Sequence, residues 1–228
     1  MIIIFVLILI FISFRLHGKT VELFQSEIQY LSKEETGHFL SLDEDEYIRN
    51  LKPMDLLHRN AESNEKYLER AIKSSLDFSD EQKQLIDNSI RKAQERLLMK
   101  ESKYIENDLI VGMNWKISLT DGSYELGLPH TRSDIIFLTP KVIKRKDLVD
   151  VLIHEKVHIY QRRYKEKFKK VLLENGYTIV NNRNNRDDLR SNPDLDEFVY
   201  EKDGNVYDEP KGIFEHPNEE IAYAMENK

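Results

Sequence analysis

One stretch limits what this sequence can fold into. From Leu148 to Tyr160, apolar residues fall on every side of a helical period: Leu148, Val149, Val151, Leu152, Ile153, Val157, Ile159 and Tyr160. A helix that is apolar all round belongs inside a core. Yet this one carries His154, Glu155 and His158. Burying two imidazoles and a carboxylate is costly unless each finds a partner. The fold must therefore enclose the helix and also supply something polar for those three groups. The segment becomes more polar beyond Gln161, and Asn175-Gly176 reads as its C-terminal stop.

The spacing names the partner. Residues four apart share a helix face, so the His154 and His158 imidazoles can reach a single ion. The motif His154-Glu155-Lys156-Val157-His158 is HExxH, a pattern that binds zinc with the glutamate as general base. Glu155 lies about 100° round the helix from His154, beside the metal rather than on it. It can take a proton from a zinc-bound water and pass it to a leaving amine. With no cysteine present, disulfides and thiolate metal sites are excluded.

Zinc needs a third protein ligand. A glycine at 161 and a histidine at 164 would mark a metzincin, but Gln161 and Tyr164 stand there. Near the C-terminus, Glu219-Glu220-Ile221-Ala222-Tyr223 follows Asn218. With HExxH, this Glu-x-x-Ala resembles the gluzincin type of zincin metallopeptidase, remotely thermolysin-like. The resemblance covers roughly residues 108–228. It implies Glu219 as third ligand; Glu220 and His216 are alternatives to it, and Tyr223 is a weaker candidate for stabilising an oxyanion or orienting a ligand. Small Ala222 would let the late helix pack closely on the HExxH helix. The resemblance further implies hydrolysis of peptide bonds in a peptide or protein substrate. It also implies an edge strand that binds substrate backbone, which would be Ile135–Leu138. About sixty residues separate His158 from Glu219, a departure from the thermolysin spacing. His130 and Arg132 are candidates for lining the cleft, with Arg132 read first as a surface or loop-stabilising residue.

The remaining sequence sets the frame. Its 228 residues suit one sizeable domain with a helical companion, and the 40% hydrophobic content suffices for a core. The net charge of −7 gives no reason to expect a nucleic-acid groove, and the basic run Lys141–Lys146 reads as a solvated face. Met1–Phe14 is apolar except for Ser13 and is followed by Arg15, His17 and Lys19. It reads as a single-pass membrane anchor with the body cytoplasmic by the positive-inside rule. The alternative is a signal peptide of a secreted protein. Residues 19–105 read as helical. Val21, Phe24, Ile28 and Leu31 recur at helical spacing, and Ser79 with Gln82 makes a capping box. Strand signals begin near 108, at Leu109–Val111, Trp115–Leu119 and Ile135–Leu138, and Thr139-Pro140 starts a helix. Asp203-Gly204 marks a hairpin, and a helical pattern follows Pro217. The expectation is an α+β fold: a zincin-like catalytic domain (106–228) with a small mixed sheet and an active-site helix, a helical region (19–105), and an anchor or signal segment (1–18). A zincin-like binding or scaffold protein at the membrane, without catalysis, is the competing expectation.

Overall fold

In the computed structural model, residues 26–208 and 215–226 are described, together with the backbone of 15–16 and 19–20. The apolar segment Met1–Phe14 therefore lies outside the described residues. Among the described residues no helix is long and apolar enough to cross a membrane.

The first elements among the described residues are β1 (Arg15–Leu16) and, antiparallel to it, β2 (Lys19–Thr20). There follow β3 (Ile28–Tyr30), α1 (Lys33–Leu42), α2 (Pro53–His58), α3 (Asn64–Lys73), β4 (Ser75–Leu76) and α4 (Asp80–Met99). Next come α5 (Asn107–Val111), β5 (Trp115–Thr120), β6 (His130–Arg132), β7 (Ile135–Leu138) and α6 (Pro140–Ile143). The last part holds α7 (Leu148–Arg163), α8 (Lys165–Glu174), β8 (Thr178–Asn182), β9 (Phe198–Lys202), β10 (Asn205–Tyr207) and α9 (Pro217–Glu226). The fold is α+β. Its main sheet runs β3-β5-β7-β6, with β3, β5 and β7 parallel and β6 antiparallel at the outer side. Strand β4 pairs antiparallel with the end of β5. Strands β8, β9 and β10 form a separate antiparallel sheet.

Strand β7 explains the layering. All four of its residues are buried. Ile136 and Leu138 join a core with Ile86, Ile90, Trp115, Leu152 and Ala222, while Ile135 and Phe137 join another with Leu40, Tyr67 and Tyr124. A strand covered on both faces reads as a continuous apolar run rather than an alternation. Helices α1 and α3 thus cover one face, and α4, α7 and α9 the other. Residues 26–105 supply two strands of the main sheet and part of both cores, so packing has no seam at 105/106.

Several local expectations change. Ile28 lies in a strand, because the edge of β5 at Trp115–Ile117 offers a parallel partner; Val21 and Phe24 lie outside the described residues. Leu109–Val111 is helical: three apolar residues are too few for periodicity to separate strand from helix, and the Ile110 N–H bonds the Glu106 carbonyl. The helix after Leu148 is two helices, parted at Tyr164 (φ −111°, ψ 38°), and α8 buries Phe168 and Leu172. The Ser79 capping box, the Thr139 cap and the hairpin turn at Asp203-Gly204 form as expected.

Candidate metal centre

Helix α7 is held from behind by Lys156. This side chain is fully buried; its Nζ donates to the carbonyls of Met113 (2.7 Å) and Asn114 (2.6 Å) and lies 4.2 Å above the Trp115 ring. Burial pushes its pKa well below the ordinary lysine value. The histidine face of α7 then meets α9, whose Ala222 is fully buried and permits a close approach.

There the structure brings His154, His158 and Glu219 together, with one ligand atom of each lying within 4.8 Å of the others. Glu219 Oε2 lies 3.2 Å from His154 Nε2 and 3.8 Å from His158 Nε2. Ligands about 2.0–2.1 Å from a tetrahedral zinc stand about 3.4 Å apart, so the spacing suits one ion. Two buried atoms without hydrogen-bond partners add to the fit: His158 Nε2 in the cluster, and Oε2 of the neighbouring Glu155. Nitrogen and carboxylate oxygen are donors that zinc accepts.

The outer nitrogens are fixed. His158 Nδ1 donates to Gln161 Oε1 (2.9 Å), and Gln161 Nε2 donates to the Asn218 carbonyl (2.9 Å), which sets the orientation of the amide. His154 Nδ1 bonds a carboxylate oxygen of Glu226. Such contacts orient metal-binding imidazoles; they leave His158 Nε2 without a partner, while His154 Nε2 faces Glu219 Oε2. Burial disfavours the His154 imidazolium, but the hydrogen bonds to Glu219 and Glu226 outweigh it and raise its pKa to about 11. Burial keeps His158 neutral, down at about 3, against the pull of Glu219. Burial pushes Glu219 up, yet His154 and His158 hold it below its usual value. Burial, with Asp194, Glu219 and Glu226 nearby, pushes the Glu155 carboxyl well above its usual range.

Of the alternative third ligands, neither is in the cluster. Glu220 is exposed and accepts from the Tyr177 hydroxyl (3.0 Å). His216 faces the Phe198 carbonyl (3.1 Å) and Asp196 (3.4 Å), and its Nδ1 accepts from the Asn218 N–H. Tyr223 does stand at the cluster, its ring 4.7 Å from that of His154. The edge-strand expectation is corrected: β7 is paired on both sides, and the outer strand is β6. Arg132 does not line a cleft but is buried between Asp43, Asp45 and the Tyr124 hydroxyl. His130 is also buried, stacked on Phe137.

Sequence reasoning missed Glu226, read Asn192 and Asp194 as part of a structured loop without a role, and treated Gln161 only as a missing glycine. Gln161 and Glu226 were readable in part, since each lies on the same helix as a cluster residue. Asn192 and Asp194 come from an irregular loop and carry no periodic signal. Comparisons of the protein with protein-family models, with curated proteins and with solved structures found no match.

Proposed function

We propose that the protein is a zinc-dependent metallohydrolase of zincin type that cleaves peptide bonds. The observation that carries this reading is the convergence of His154, His158 and Glu219 beside a buried Glu155 whose Oε2 has no partner. His154, His158 and Glu219 would hold the ion. Zinc, when bound, supplies Lewis acidity toward a water and a substrate carbonyl. Glu155 would accept a proton from the attacking water at Oε2 and return it to the departing amine nitrogen. The charge of a bound ion would favour the ionised carboxylate in the resting site, while burial raises its affinity for the proton it takes up and then passes to the amine. Tyr223 would donate its hydroxyl proton toward the carbonyl oxygen as charge develops. The Met1–Phe14 segment would tether this activity to a membrane.

The test is cleavage of a peptide library by the full-length zinc-loaded protein and its Glu155→Gln variant. Cleavage by the wild type, falling at least about 100-fold in the variant with zinc retained, supports the reading. Equal cleavage by both would end it. A second reading, a zincin-like binding or scaffold protein without catalysis, draws on the enclosure of the cluster: His158 is 1% and Glu219 6% exposed. It expects bound zinc and no cleavage by either form.

A further inference from the structure

The outer edge of β6 is already occupied by a carboxylate. Asp194 Oδ1 accepts from the Thr131 backbone N–H (2.8 Å) and from the Thr131 hydroxyl (2.7 Å). Behind the hydroxyl stands Arg162, one turn along α7 from His158 and on the same face. Its Nη1 donates to Thr131 Oγ1 (3.1 Å) and the Ser133 carbonyl (2.7 Å), and its Nη2 to the Pro193 carbonyl (2.6 Å). All three acceptors are neutral oxygens; burial disfavours the Arg162 charge and lowers its pKa, and Asp194 is foremost among the anions that oppose this. Thr131 is fully buried. Two buried donors backed by a guanidinium form a built pocket for a carboxylate.

The loop that delivers Asp194 also lies across the metal cluster. Asn192 Nδ2 donates to Glu219 Oε1 (3.1 Å), Asn218 Nδ2 to the Asp194 carbonyl (3.4 Å), and the Asp194 N–H to Asn192 Oδ1 (2.9 Å). A cavity of about 390 Å³ adjoins it, lined among others by Gln161, Arg162, Asn192 and Asp194. The loop is held here by polar contacts. An extended peptide can add to a sheet edge only where the outward N–H groups are open. The Thr131 N–H becomes open only when Asp194 leaves.

We propose that the Thr131–Arg162 pocket is a carboxylate-binding substrate subsite, filled in the resting protein by Asp194 of its own loop, and that the preferred substrate carries a carboxylate which takes Asp194's place. This rests on the hydrolase reading for the word substrate; the pocket itself does not depend on it. The carboxylate belongs either to an acidic side group or to the C-terminus of a peptide.

The experiment uses the full-length zinc-loaded protein and its Asp194→Ala and Asp194→Asn variants. Thermal unfolding is followed in acetate or formate and in chloride of equal ionic strength. Hydrolysis is measured on matched peptides bearing Asp, Asn or Ala at one position, each with a free or an amidated C-terminus. Asp194→Ala should lower Tm by several degrees, with acetate and formate restoring at least half of the loss and chloride restoring none. The same variant should gain about tenfold in kcat/KM on carboxylate peptides, a change that one charge-assisted contact can carry. A gain that survives amidation assigns the carboxylate to the acidic residue, and one lost on amidation assigns it to the C-terminus. Acetate acting no better than chloride overturns the proposal. If Asp194→Ala fails to fold, Asp194→Asn decides: a shift toward carboxylate peptides supports the subsite, and an unchanged preference overturns it. Selective rescue by acetate with no hydrolysis in any form sustains the pocket and removes the hydrolase reading instead.

Discussion

His154 sits between two carboxylates, Glu219 at Nε2 and Glu226 at Nδ1, and is protonated at neutral pH because of them. An ion at the cluster must displace that proton from Nε2, since only the neutral imidazole ligates a metal. Zinc binding near pH 7 should therefore release about one proton from His154, and affinity should weaken as pH falls. Calorimetry in two buffers of different ionisation enthalpy measures the release; an uptake of zinc with no proton exchange would count against this arrangement. Spacing alone carried the two histidines, because helical geometry converts i, i+4 into a shared face; Glu219 came only from the Glu-x-x-Ala resemblance. It did not carry the partners of those residues. Glu226 meets His154 across 72 residues of sequence, and only the packing of α9 on α7 puts it there.

Helix α7 depends on its hidden face as much as on its histidines. Lys156 bonds two backbone carbonyls, and its Nζ lies over the Trp115 ring. Lys156→Ala leaves a cavity and two unmet acceptors, a loss of about 2–3 kcal/mol. Tm should fall by roughly 5–10 °C, while the zinc content of the folded fraction stays unchanged. A variant with wild-type Tm would mean that α7 is positioned by its apolar contacts alone. Elements with their own punctuation were legible: the Ser79 box, Thr139-Pro140, Asp203-Gly204 and the helix after Pro217 all form. Elements that exist only through pairing were not. Strands β3 and β4 are three and two residues long, and only the available side of β5 makes them strands.

Across the whole molecule, two buried arginines bind the early helical region to the segment that leads into and forms β6. Arg59 donates to both oxygens of Glu125 (3.0 and 2.8 Å), and Arg132 reaches Asp43 (2.7 Å) and Asp45. These pairs lie 66 to 89 residues apart in sequence, so no local spacing joins them. Burial raises the Glu125 carboxyl, but the Arg59 pair wins and holds it below 4.5. A carboxylate held low in the folded state contributes stability above its ordinary pKa, and that contribution is lost as pH falls through the lowered value. Glu125→Gln strands the Arg59 charge and should cost roughly 3 kcal/mol at pH 7. Denaturant titration should find the gap between wild type and variant narrowing below pH 4.5; a gap that widens in acid would contradict the pairing. The α+β class was legible because helical and strand periodicities occur in different stretches. The sharing of both cores by the two halves was not.

The claim on which the rest depends is that one ion is held by His154, His158 and Glu219. The direct measurement is zinc per molecule in the purified full-length protein, beside Glu219→Ala, Glu220→Ala and His216→Ala. The account predicts about one zinc in the wild type, lost in Glu219→Ala and kept in the other two. A folded wild type without zinc, or zinc that survives Glu219→Ala and departs with His216→Ala, would contradict it.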